Sequence, residues 1–126
     1  MKGRHFYSFF NFQQRRFFFI ISLTYKKSLA EVEKYLPDHR AYLDAYYKEE
    51  AFLASGPKIP RSGGIILSSL TSKPKLEEIL AKDPFYIHDI ANYEITEFHP
   101  TKCHKNFSAS IDKFMPAEEV SKMIVG

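Results

Sequence analysis

His39 is the side chain best suited to proton transfer in this chain of 126 residues. Imidazole alone among side chains titrates near neutrality without a large perturbation, so it can accept or donate a proton at physiological pH. Leu43, Tyr46 and Tyr47 recur with His39 at helical spacing. That pattern puts the ring on an apolar helix face, pointing toward a sheet rather than into water. It is then either a satisfied core histidine or a general acid or base. Asp83 is the natural second member. A carboxylate within reach would fix the tautomer of the imidazole. The other use of Asp83 is local, because an aspartate at a helix end before proline commonly binds nearby backbone N–H groups.

Arg61 stands after two prolines and before Ser62, Gly63 and Gly64. Glycines at 63 and 64 allow close backbone approach. A guanidinium offers a bidentate fork for a carboxylate, phenolate or phosphate. Arg61 is therefore a candidate holder of a substrate anion, with an exposed loop arginine as the alternative. Ser55 could donate a hydrogen bond into the same pocket or serve only as a turn former. No base stands beside it in sequence, which argues against a serine nucleophile. His88, His99 and His104 fit no recognised ligand spacing, so no metal is expected. Of the aromatic side chains Tyr42, Tyr46, Tyr47, Phe85, Tyr86 and Tyr93, most belong to a core, and one or two suit the wall of a pocket for a planar ligand.

Bulk composition narrows the partners. The net charge of +3 is concentrated at the start, where Lys2, Arg4, Arg15 and Arg16 face no acid in the first sixteen residues. The rest carries 14 basic against 15 acidic residues, a balance that offers no electrostatic footprint for nucleic acid. Cys103 is the single cysteine, which excludes an intrachain disulfide and fits a reducing cytoplasm. Arg15 and Arg16 before an apolar run look like an export signal. The run ends at Leu23 without a small-residue cleavage site and is too short to span a bilayer. No membrane segment is expected elsewhere. Residues 1–16 read as a leader, 17–107 as one domain and 108–126 as a tail.

The elements that must position these side chains follow from periodicity. Residues 17–24 are a nearly continuous apolar run, the pattern of a strand buried on both faces. Ser28 and Glu31 have capping-box spacing, so a helix begins there and runs to about Leu36. Pro37 should break or kink it before a second helical piece that carries His39. Residues 51–56 and 64–70 read as strands joined by an irregular proline- and glycine-rich loop. A helix over about 75–82 has Ser72 as a plausible cap and Leu76, Ile79 and Leu80 as its buried stripe. Pro84 stops it. Residues 91–99 alternate as a fourth strand, and Pro116 to Ile124 could form a short terminal helix.

This order, β-α-β-β-α-β, is the ferredoxin-like α+β arrangement with a four-stranded antiparallel sheet and helices on one face. Two helices cover one face of that sheet, yet residues 17–23 and 65–67 are apolar on both sides. The uncovered face should bury itself against a second copy, giving a homodimer.

Taken together, residues 19–25, His39-Arg40-Ala41-Tyr42-Leu43, Ala54-Ser55-Gly56-Pro57, Arg61-Ser62-Gly63-Gly64 and Asp83-Pro84-Phe85 resemble the YCII-related family. The resemblance covers about residues 17–107. It implies a ferredoxin-like domain pairing into a dimeric α/β barrel, similar to muconolactone isomerases. It also implies an active site built on the helix-borne histidine and the aspartate before proline, here His39 and Asp83. Relatives suggest proton shuffling, elimination or dehalogenation of small cyclic or hydroxylated aromatic compounds.

The expectation is a cofactor-independent enzyme of isomerase, lyase or dehalogenase type, acting on a small anionic ring compound. His39 would move the proton and Asp83 orient it, while Ser55, Arg61, Gly63 and Gly64 would hold the ligand. The alternative is a module that binds or senses a small ligand in the same pocket without converting it.

Overall fold

Ser28 starts the first helix as its spacing requires, its hydroxyl accepting the N–H of Glu31 at 3.3 Å and satisfying one otherwise orphaned donor. The computed structural model describes residues 18–70 and 72–114. Within them the elements are β1 (Phe18–Tyr25), α1 (Leu29–Lys48), β2 (Phe52–Pro57), β3 (Gly63–Ser68), α2 (Lys73–Leu80), α3 (Pro84–Ile87), β4 (Ala91–Phe98) and α4 (Lys105–Phe114). The expected leader over 1–16, Phe17 and the expected helix after Pro116 lie outside the described residues.

The expected β-α-β-β-α-β succession is present, and the sheet order β2-β3-β1-β4 is that of the ferredoxin-like fold. β3 pairs antiparallel with both β1 and β2. Ile21 stands opposite Ile66 and Leu23 opposite Gly64. Ser55 stands opposite Ile66 and Pro57 opposite Gly64. Opposed residues share a face, so these six line the side of the sheet that α1 covers. Side chains of that face, with Val32, Tyr42, Leu76, Ile79, Leu80 and Phe85 from the helices, make one core cluster. Ile20, Ile65 and Leu67 point the other way, and Leu67 is 37% exposed.

Two local readings need correction. α1 is one continuous helix of 20 residues with Pro37 inside it, not two pieces. Proline removes one hydrogen bond of the ladder. Pro37 and Glu33, whose carbonyl lacks that donor, are both exposed residues, while Val32, His39 and Tyr42 on the opposite side stay buried. Secondly, Asp83 does not end a helix. α2 stops at Leu80, and Asp83 caps the short α3, its carboxylate accepting the N–H of Phe85 at 3.0 Å. Proline at the first helical position is compatible with this, because its missing N–H would have no partner there.

The molecule divides into two compact units. Residues 19–97 form the larger unit, which holds the core cluster and the site described below. Phe18 and residues 98–114 belong to the smaller one. In that unit the Phe18 ring lies 5.7 Å from Phe98 and 6.0 Å from Phe107, a residue of α4. No helix among the described residues is long and apolar enough to cross a membrane.

Candidate active site

The stripe of α1 that faces the sheet, Val32, Tyr35, Leu36, His39, Tyr42, Leu43, Tyr46 and Tyr47, follows helical spacing. His39 is in the middle of it and only 8% exposed. Asp83 reaches the same spot from the turn before α3 and is fully buried. His39 Nδ1 and Asp83 Oδ1 are 2.8 Å apart.

A buried carboxylate is costly unless hydrogen bonds replace its hydration. Asp83 has three donors. The Phe85 N–H meets Oδ1 at 3.0 Å, the ring N–H of His39 meets the same oxygen, and the Tyr93 hydroxyl donates to Oδ2 at 2.6 Å. With Oδ1 accepting, the imidazole proton sits on Nδ1 and Nε2 is left as the second functional atom of the ring. The ring is further held by Phe85, which stacks on it with centroids 4.0 Å apart and planes 4° from parallel. Burial, reinforced by the charge of Asp83, pushes the Tyr93 and Tyr42 hydroxyls well above the usual phenol range. Both stay protonated donors, and Tyr42 donates to the Ile79 carbonyl at 2.8 Å.

His39 forms part of the wall of a cavity of about 390 Å³ between α1 and the β2–β3 end of the sheet. Leu36, Leu43 and Phe85 supply apolar wall, and Leu23, Pro57, Gly64 and Ile66 lie along the sheet side. Ser55, Arg61, Gly63 and Gly64 all line this cavity. The Ser55 hydroxyl is 2.7 Å from that of Tyr47. The Arg61 guanidinium donates from Nη1 to Glu33 Oε2 at 2.6 Å. That hydrogen bond, with a further one to Tyr25, holds the Arg61 pKa above its ordinary value. The loop that carries Arg61 is anchored by the Tyr25 N–H to the Ser62 carbonyl and by Lys58 Nζ to Thr24 Oγ1.

The two glycines act differently. A Cβ on Gly63 would lie 1.7 Å from the Leu23 carbonyl oxygen, so only glycine lets β3 approach β1 there. A Cβ on Gly64 would come within 3.1 Å of the Gly56 carbonyl oxygen, a tight but lesser contact. Gly64 itself lines the cavity's sheet side.

Three participants carry no signal by residue type alone. Tyr93 occupies an inward position of β4 and reads in sequence as core or pocket wall, not as a donor to Asp83. Phe85 was legible as part of Asp83-Pro84-Phe85, though not as the ring beneath His39. Glu33 lies on an exposed helix turn with nothing in sequence to tie it to Arg61. The other histidines are elsewhere: His88 stacks on Tyr35 at 4.2 Å, and His104 Nδ1 accepts the N–H of Asn106. No three side chains of metal-ligating type gather among the described residues.

With this geometry in place, comparison with known proteins assigns the domain. The YCII-related domain matches residues 17–99. The chain belongs to the YCII-related family. This YCII-related domain is similar in structure to the 5-chloro-2-hydroxyhydroquinone dehydrochlorinase TftG of Burkholderia phenoliruptrix, solved with 2,5-dihydroxybenzoquinone. The two are 16% identical, with a TM-score of 0.55 over 63% of this chain and 90% of that one. A mutant of SnoaB, a cofactor-independent oxygenase of Streptomyces nogalater, is 13% identical, with a TM-score of 0.42 over 70% of this chain and 95% of that one. At 16% identity the likeness to TftG speaks to fold alone. No curated protein sequence matches the chain.

Proposed function

We propose that this YCII-related domain is a cofactor-independent enzyme that moves a proton on a small ring compound. The observation that carries the reading is the His39–Asp83 contact at 2.8 Å, in which a fully buried carboxylate holds a ring that lines a cavity. Nε2 would take a proton from the substrate or return one to it, and Asp83 would stabilise the imidazolium formed in between. Asp83 has no exposed surface, so in this reading it positions and balances charge while His39 meets the substrate. Leu36, Leu43 and Phe85 suit a planar ring. Ser55 and Arg61 would give hydrogen bonds to its substituents, and Gly64 would leave it room beside the sheet, while Gly63 serves the approach of β3 to β1.

Isomerisation and elimination of a halide both begin with such a proton transfer. A protein of the same fold, TftG, is a dehydrochlorinase solved with a dihydroxybenzoquinone, which makes hydroxylated and halogenated rings the first compounds to try. The test follows ultraviolet absorbance and halide release across a panel of such rings. On any compound turned over, His39→Gln should lower the rate by about 10²–10⁴-fold with the fold intact by circular dichroism. Full activity in His39→Gln would end the reading. Saturable binding, with every ligand recovered intact, would establish a binding module instead. We also propose that the open sheet face pairs with a second copy.

A further inference from the structure

Besides the phenol of Tyr25, four ionisable groups border the cavity: Glu33, His39, Arg40 and Arg61. Their charges do not cancel. Arg61 is matched by Glu33 at 2.6 Å, and His39 faces Asp83 at 2.8 Å. Arg40 has no ion pair and no side-chain hydrogen bond among the described residues. Glu33 and Arg40 are seven residues apart on α1, two helical turns, which separates them by about 10.5 Å along the axis. The cavity edge therefore has a neutralised pair at one end and an unmatched cation, next in sequence to His39, at the other.

We propose that Arg40 is the residue that binds the substrate's charge and that the cavity selects a monoanion. This rests on reading the cavity as the substrate site. A ring against Phe85 would place one carboxylate or phenolate on the Arg40 fork. A second negative group directed at Arg61 would meet the Glu33 carboxylate, and like charges in close apposition oppose binding. Glu33 thereby acts as a specificity residue by repulsion, and Arg61 contributes polarity without net charge. Arg40 and Glu33 are both exposed, so substitutions at either should leave the fold intact.

The experiment uses the full chain with benzoate, terephthalate and benzamide as probes, read by calorimetry and by the ring resonances of His39. Wild type should prefer benzoate to both others by about tenfold or more, the scale of one charge-assisted contact. Arg40→Gln should erase the preference for benzoate over benzamide, and Arg61→Gln should preserve it. Glu33→Gln should bring terephthalate to within about threefold of benzoate, as removal of one repulsive contact requires. The proposal is overturned if Arg40→Gln keeps the preference and Arg61→Gln loses it, or if wild type binds benzoate no better than benzamide. Benzoate that binds through Arg40 without moving the His39 resonances would remove the catalytic reading and leave the anion site standing.

Discussion

Asp83 shows how much one buried residue can ask of its surroundings. Its carboxylate is fully buried and collects the Phe85 N–H, the His39 ring and the Tyr93 hydroxyl. Removing a donor from such a group leaves part of its desolvation uncompensated. Tyr93→Phe should therefore cost about 1–3 kcal/mol, measured by urea unfolding at neutral pH. The same residue sets an alkaline limit. Tyr93 and Tyr42 have pKa values raised by burial and by Asp83 above their ordinary 10.0. Above that value the unfolded tyrosines lose protons that the folded ones keep, so the native state binds more protons and stability falls as pH rises. Well below pH 10 these two groups contribute no slope. Urea midpoints should decline between about pH 10 and 11.5, and Tyr93→Phe should make the decline shallower. A variant with the same alkaline slope as wild type would show that Tyr93 does not carry it.

At the scale of elements, two backbone positions decide how well the pieces fit. Gly63 is needed for the approach of β3 to the Leu23 carbonyl, where a Cβ would sit at 1.7 Å. Gly63→Ala should cost more than about 3 kcal/mol or prevent folding. Gly56 has nothing within 4 Å of its Cβ position, so Gly56→Ala should stay within about 0.5 kcal/mol of wild type. Thermal melts of the two variants side by side check the contrast. The end of α1 supplies the second case. The Glu50 and Ala51 N–H groups bond the Tyr47 and Tyr46 carbonyls at 2.9 Å each, and Glu50 has φ of 60°. This is a Schellman stop with a glutamate where glycine is favoured. Glu50→Gly should stabilise by roughly 0.5–1 kcal/mol, visible as a higher Tm. A lower Tm would mean that the glutamate has contacts that outweigh its backbone strain.

For the whole molecule the open question is the second sheet face. α1 and its neighbours bury the side that carries Ile21, Leu23 and Ile66, while Ile20, Ile65 and Leu67 lie on the other. The proposed partner copy would cover the apolar strip there. Sedimentation velocity should give a dimer for wild type and a folded monomer for Leu67→Glu. A wild-type monomer at tens of micromolar would reject the dimer. The same outer face has Asn92, Glu94 and Thr96 on β4, so the polar edge and apolar centre resemble an interface with a dry middle and a wet rim.

Features that depend on near neighbours were legible in the sequence alone. Ser28 and Ser72 cap their helices because a hydroxyl meets an N–H three residues on. Alternation and apolar runs marked all four strands in order, and that order limits the sheet to few topologies. His39 could be placed on a buried helix face, and Asp83 at a turn before proline, from period and residue type alone. α3 was missed because four residues carry too little periodicity to register, and the continuity of α1 through Pro37 was missed because exposure on one side is decided by what packs on the other. Only the tertiary structure could join residues 44 positions apart into the His39–Asp83 contact. It alone put Tyr93 on the second carboxylate oxygen, Glu33 on Arg61, and the Leu23 carbonyl against Gly63. The physical reason is that chain-local forces set dihedral angles and which face is apolar, whereas contact between elements depends on strand register and packing distance. A shift of one residue in register would turn every strand side chain to the opposite face, and no local signal reports it.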